Sequence, residues 1–193
     1  MDIIELLSYS FIQRAIIAGL LIAVTCSLLG TQLVLRRLSL IGDGLAHVTF
    51  SGVALGIVFG VYPLYTAIPV VILCSLGIVK LIEKARIYGD AAIGIVSSLG
   101  IATGVILATF AGGFNVDLFS FLFGNILTIS TEDVITSIAL FIVTLFIFYF
   151  FYQEIFSITF DEEFARTLGI KTKRLNALLV IMTSVTVVLA MKI

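Results

Sequence analysis

Asp117-Leu118-Phe119-Ser120-Phe121-Leu122-Phe123-Gly124-Asn125-Ile126-Leu127-Thr128 decides between six and seven membrane crossings in this chain. The stretch is apolar, yet it falls well short of the roughly 20 residues a helix needs to span a bilayer. It reads as a re-entrant or interfacial piece. Longer apolar runs stand on both sides of it. The expected crossings are residues 12–35, 43–60, 64–82 and 91–111 before it, and 134–152 and 175–191 after it.

Charge supports the count of six. Arg36 and Arg37, then Lys80, Lys84 and Arg86, then Arg166, Lys171, Lys173 and Arg174 all fall on one side of a six-span layout. The opposite connections, residues 61–63 and 112–117, carry no Lys or Arg. By the positive-inside rule the basic side is cytoplasmic and the N-terminus lies outside. A seventh crossing at 117–128 would carry Arg166 to Arg174 to the wrong face.

Composition agrees with a membrane protein. The chain has 193 residues, 61% hydrophobic and 12% charged, with a net charge of −1 and a mean hydropathy of +1.25. So little charge cannot cover a soluble surface, which excludes a disordered chain, a basic nucleic-acid binder and an ordinary cytosolic enzyme. The expected fold is all-α, a polytopic transmembrane helical bundle forming one domain over residues 1–193, with no repeat at a fixed period. Asp2 and Glu5 precede any basic residue, so the first span lacks a cleavable leader's positive start and is expected to stay. Cys26 and Cys74 lie inside apolar runs and read as small hydrophobes.

Small residues mark two helix faces. Gly52, Gly56 and Gly60 recur every four residues, as do Gly100, Gly104, Ala108 and Gly112. Such stripes let helices approach closely in lipid, either within the bundle or at a seam between two copies.

Asp43 and His47 are the polar residues that need explaining. His47 is the only histidine, and four residues separate it from Asp43, so the two share a helix face. Each is costly in hydrocarbon, on the order of 3 kcal/mol for a central Asp. A carboxylate and an imidazole one turn apart can hold a divalent cation, and both suit zinc or manganese. Gly42 and Gly44 would admit irregular backbone just ahead of the helix, as at transporter sites. The alternative is local: Asp43 caps the helix and hydrogen-bonds His47. The residues alone leave both readings open.

The loop 157–174 carries a second signal. Thr159 and Glu162 match a capping box, and Gly169 suits a C-terminal cap, which predicts a short helix over about 160–168 outside the membrane. Such a helix between two spans is something a cytoplasmic partner could grip. Elsewhere, Asp90 is expected to cap the fourth span, and Ser130 with Asp133 the fifth. Asn115 and Asp117 are expected at the external surface, where Arg14 and Lys192 snorkel to the interface.

The run from Leu35-Arg36-Arg37 through Gly42-Asp43-Gly44-Leu45-Ala46-His47-Val48 to Ser51-Gly52-Val53-Ala54-Leu55-Gly56 closely resembles the permeases of bacterial zinc and manganese ABC importers. Phe121-Leu122-Phe123-Gly124-Asn125-Ile126-Leu127 and Ala165-Arg166-Thr167-Leu168-Gly169-Ile170 resemble two further stretches of that family, in its order. The resemblance implies a multi-pass subunit of the bacterial plasma membrane, with Asp43 and His47 on the metal pathway. It also implies that Thr159, Glu162, Ala165 and Gly169 belong to a coupling helix docking on a cytoplasmic ABC ATPase. Further implied partners are a second permease copy, an extracellular metal-binding protein and membrane lipid, with no nucleic acid. No cofactor is bound permanently; the cargo is zinc or manganese. The run Leu45-Ala46-His47-Val48-Thr49-Phe50-Ser51-Gly52-Val53-Ala54-Leu55-Gly56 resembles zinc permeases more closely than manganese ones. The family continues for about two further spans, so a C-terminally shortened chain is expected.

No Gly-x-x-x-x-Gly-Lys-Ser/Thr loop occurs, so energy for import would come from a separate ATPase and the chain itself is not expected to be an enzyme. A stand-alone secondary metal transporter or channel is the alternative, since the Asp43–His47 site would serve it equally. An intramembrane metalloenzyme would want three protein ligands and an activated water, which one His and scattered carboxylates supply poorly.

Overall fold

The computed structural model describes residues 8–85, 87–113, 121 and 124–193. Six of its helices are long and apolar enough to cross a membrane: α1 (Ser10–Leu35), α2 (Ile41–Phe59), α3 (Pro63–Ala85), α4 (Gly89–Phe110), α5 (Thr131–Phe150) and α8 (Thr172–Lys192). Two short helices, α6 (Tyr152–Phe160) and α7 (Glu162–Thr167), lie between α5 and α8. No strand occurs among the described residues.

The helices end where local chemistry stops them. Gly60, at φ 65°, turns the chain out of α2, and the Val61 N–H donates back to the Gly56 carbonyl at 3.0 Å. Pro63 then opens α3, where a missing N–H costs nothing. At α5 the Ser130 hydroxyl accepts from the Asp133 N–H at 3.2 Å while the Asp133 carboxylate accepts from the Ser130 N–H at 3.0 Å. Thus Ser130 and Asp133 form the expected capping box. Asp90 does not cap α4: Tyr88 holds that position without a side-chain bond, and Asp90 lies in the first turn, where its charge suits the helix start.

Helix α2 lies between α3 and α4, while α8 runs beside α1, α2, α3 and α5. One core joins α2, α3 and α4 through Leu45, Val48, Val53, Val71 and Ile93. A second joins α1, α5, α6 and α8 through Ile22, Leu29, Leu140, Ile155 and Leu179. Because lipid is as apolar as these side chains, close packing and interhelical hydrogen bonds must hold the bundle. Gly52 supplies both: a Cβ there would stand 2.6 Å from the Ala67 Cα, and its carbonyl accepts from the Thr66 hydroxyl at 2.8 Å. Gly56 meets Pro63 in the same way, and Gly100 meets Val48. These glycines therefore face neighbouring helices of the same chain. Gly60 packs against nothing within 4 Å and serves as a cap instead.

Half of Asp117–Thr128, residues 117–120, 122 and 123, lies outside the described residues. Its end, Ile126–Thr128, is a single 3-10 turn whose Leu127 N–H donates to the Asn125 side chain at 3.0 Å. Asn115 and Asp117 also lie outside the described residues.

Candidate functional site

Helix α2 starts at Ile41, two residues ahead of Asp43, and so carries Asp43 and His47 on one helix. The chain around Gly42 and Gly44 is regular helix, not the irregular backbone expected. Gly44 serves packing, since a Cβ there would run into the Ile93 side chain. Leu40 holds the N-cap position with no side-chain bond, so Asp43 does not cap α2; it lies in the first turn. The local-cap account of Asp43 therefore lacks its hydrogen bond.

The Asp43 Oδ2 and His47 Nε2 atoms stand 3.7 Å apart, with the two side chains 75% and 42% exposed. That separation is too long for a hydrogen bond between them. Two ligands about 2.1 Å from one ion stand roughly 3 to 3.5 Å apart, so a small side-chain rotation would let both reach a shared cation. Exposure is unusual here, because Gly44, Leu45, Val48, Thr49 and Ser51 to Ala54 on the same helix are all buried. Among the described residues no group of three or more His, Cys, Asp or Glu could hold a metal ion. Asp43 and His47 thus present a carboxylate and an imidazole side by side, both facing outward from the chain.

At the same end of the bundle, α7 is tied to the membrane helices. Its N-cap is Asp161, in extended backbone at φ −150°, whose carboxylate accepts from the Phe164 N–H at 2.9 Å. The expected cap Thr159 lies instead in the last turn of α6, where its hydroxyl donates to the Ile155 carbonyl at 2.7 Å and lies 2.7 Å from Gln32 Oε1. A residue still in helical backbone cannot cap the next helix, and Asp is the better cap in any case. Gly169, at φ 80°, ends α7: its N–H donates to the Arg166 carbonyl at 3.0 Å and the Ile170 N–H to that of Ala165 at 3.2 Å. Ala165 is fully buried against Ile158 and Leu175 and so seats α7 on the bundle. Phe164 and Leu168 point outward, 58% and 59% exposed. Their signal in the sequence is two apolar residues in a short, capped, charged helix.

Glu162 is the centre of this region. One oxygen accepts from Arg166 at 2.6 Å, and the other stands 3.6 Å from Arg36. Burial pushes the Glu162 carboxyl up, but the Arg166 hydrogen bond and the charges of Arg166 and Arg36 outweigh it and hold the carboxyl below the ordinary glutamate value. Burial lowers the Arg36 guanidinium from its usual value, partly opposed by Glu162. Arg36 also donates to Asn176 Oδ1 at 2.6 Å. Nearby, Lys173 of α8 stands 3.6 Å from Glu83 of α3.

The far end of the bundle holds a closed pair. Lys192 of α8 contacts the Asp133 carboxylate and lies 5.5 Å from the centre of the Tyr62 ring. Arg14 donates to the Ile129 carbonyl at 3.3 Å and to Ser10. Both cations, expected to snorkel into the interface, are held by protein groups. A cavity of about 520 Å³ opens beside them, between Tyr62, Phe121, Ser130 and Glu132.

The ABC 3 transport family matches residues 8–193. The manganese transport system membrane protein MntC of Halalkalibacterium halodurans is 31% identical over 188 residues, covering 97% of this chain and 64% of that protein. The manganese import system permease protein ScaB of Streptococcus gordonii is 34% identical over 184 residues, covering 95% of this chain and 66% of that protein. Among solved structures, PsaBC from Streptococcus pneumoniae in complex with Fab superposes with a TM-score of 0.81 at 30% identity, over 98% of this chain and 68% of that one. The chain therefore spans about two thirds of the length of these relatives.

Proposed function

The chain belongs to the ABC 3 transport family, and on that premise we propose that it is the membrane permease subunit of an importer for a divalent transition metal. The observation that carries this reading is the Asp43–His47 pair, two metal-binding groups left exposed near the start of a helix whose other faces are mostly buried. Manganese is the ion to test first, because two relatives that match most of the chain are named for manganese transport. The expectation of zinc rests on the Leu45–Gly56 run, and Asp and His serve both ions.

Two ligands do not complete a coordination shell, and an outward-facing half-site invites a second copy to supply the rest. That geometry supports the reading of a permease homodimer with the path along its seam. The basic end, which carries α7, is assigned to the cytoplasm by the positive-inside rule. There α7 offers Phe164 and Leu168 to an ATPase, with Glu162, Ala165 and Gly169 holding its shape and seat. An extracellular metal-binding protein would deliver cargo to the opposite end.

The test is manganese-stimulated ATP hydrolysis and uptake in proteoliposomes holding the permease with its ATPase. Uptake that needs ATP and the ATPase supports the importer. Uptake driven by an ion gradient in the permease alone would favour a secondary transporter or channel, for which the same pair of ligands would serve.

A further inference from the structure

The turn between α1 and α2 is clamped from two directions. Arg36, the last residue of α1's C-terminal cap, has a side chain only 11% exposed, and it reaches both Glu162 of α7 and Asn176 of α8. On the other flank Leu38 fills the space beside Gly89 at the start of α4, where a Cβ would stand 2.6 Å from Leu38 Cδ2 and 3.2 Å from the Arg37 carbonyl oxygen. Between the two clamps, Arg37 takes a left-handed backbone at φ 59° that side chains rarely adopt. Helix α2 starts four residues after Arg37 and carries Asp43 in its first turn.

We propose that Arg36 is the positioning residue through which movement of α7 reaches the α1–α2 turn, and with it the Asp43–His47 pair. This rests on the reading of α7 as the ATPase-docking helix. The physical reason is the burial of the charge. A guanidinium this covered is stable only with its carboxylate and amide partners, so α7 cannot carry Glu162 away without drawing Arg36 along or leaving a buried cation unpaired. Arg36 cannot move without the turn, because it is joined directly to Arg37, which leads into Leu38. Helix α2 then moves as a rigid body and takes Asp43 and His47 with it. The two other groups in contact extend the same unit: Arg166 hydrogen-bonds the second Glu162 oxygen and lies 3.2 Å from the Thr172 hydroxyl of α8. Displacement of α7 is therefore shared by the starts of α2 and α8.

The experiment compares Arg36→Met, Glu162→Gln and the double variant in the permease–ATPase complex, reading manganese ions imported per ATP hydrolysed. Met keeps the buried stem and removes the charge; Glu162 keeps its Arg166 hydrogen bond, while Asn176 Oδ1 loses its Arg36 donor. Arg36→Met should lower ions per ATP at least tenfold while the ATPase remains bound, and Arg36→Lys should restore part of the loss. The double variant should be no worse than the more severe single variant, because both break one link. Additive losses, or an unchanged ratio in Arg36→Met with the ATPase bound, would overturn the proposal. If Arg36→Met does not insert, Glu162→Gln is read instead, and a normal ratio there overturns it equally. Crosslinking from Phe164 to the ATPase in the parent complex is the separate check on docking. Its absence would remove the docking reading itself, and the Arg36 proposal with it, whatever the variants do.

Discussion

Two acid–base pairs stand near opposite ends of this bundle, and they are finished to different degrees. Asp133 and Lys192 come from different helices, with side chains 9% and 17% exposed, and the carboxylate also takes the Ser130 N–H and hydroxyl. Asp43 and His47 come from one helix, are 75% and 42% exposed, and stand too far apart to hydrogen-bond each other. The closed pair satisfies itself and ties α5 to α8. The open pair leaves both side chains exposed and not hydrogen-bonded to each other. Burial and partner count, more than residue type, separate the closed pair from the one proposed to bind metal.

The strongest way to break that contrast is His47→Ala. It should cut manganese uptake by on the order of 100-fold or more, since even residues that only orient metal ligands are worth 10 to 100-fold. Thermal unfolding in detergent should stay within about 0.5 kcal/mol of the parent, because little packing is lost. Lys192→Met should do the reverse. It leaves the Asp133 carboxylate covered and unpaired, at a cost of about 3 kcal/mol in stability. Adding Asp133→Asn should recover much of that loss, which a melting series on the single and double variants would read.

Packing sharpens the same contrast at smaller amplitude. Gly52→Val must push α2 off Ala67 and should cost about 1–3 kcal/mol, seen as a lower melting temperature with uptake falling only as folded protein falls. Arg37→Gly removes a left-handed backbone strain and should stabilise the protein by about 1 kcal/mol. Last and smallest is acid. Glu162 is held below its ordinary value, so its contribution is complete above the unfolded glutamate pKa and is lost only as pH falls through the lowered one. Protection of α7 from proteolysis should therefore be flat from neutral pH down to about 5, below which a normal glutamate begins to protonate.

The long apolar runs made the six spans legible, but hydropathy alone placed their starts late. The fifth was expected from residue 134, yet the capping box at Ser130 starts α5 at Thr131, among polar residues that hydropathy discounts. The Asp43–His47 pair was legible because it sits four apart on one helix. Its exposure was not, since that depends on how α3 and α4 cover the other faces of α2. The short helix α7 was located by its caps but misread in detail: Thr159 and Asp161 are both good caps, and only the kink after α6 decides between them. Arg36 was invisible as a clamp, because Asn176 lies 140 residues further along the chain. Gly42 and Gly44 suggested broken backbone, whereas at Gly44 glycine serves the close approach of α4 to a regular helix.

Whether Asp43 and His47 are ligands on a metal path is decided by Asp43→Asn. An amide keeps the size of the side chain and caps a helix as well as a carboxylate does, but it lacks the charge that attracts a divalent ion. Manganese uptake at limiting concentration, measured in proteoliposomes with the ATPase present, is predicted to fall by on the order of tenfold or more in Asp43→Asn, with insertion and ATPase binding unchanged. Uptake equal to the parent at limiting manganese would contradict the account and return Asp43 to an ordinary first-turn acid.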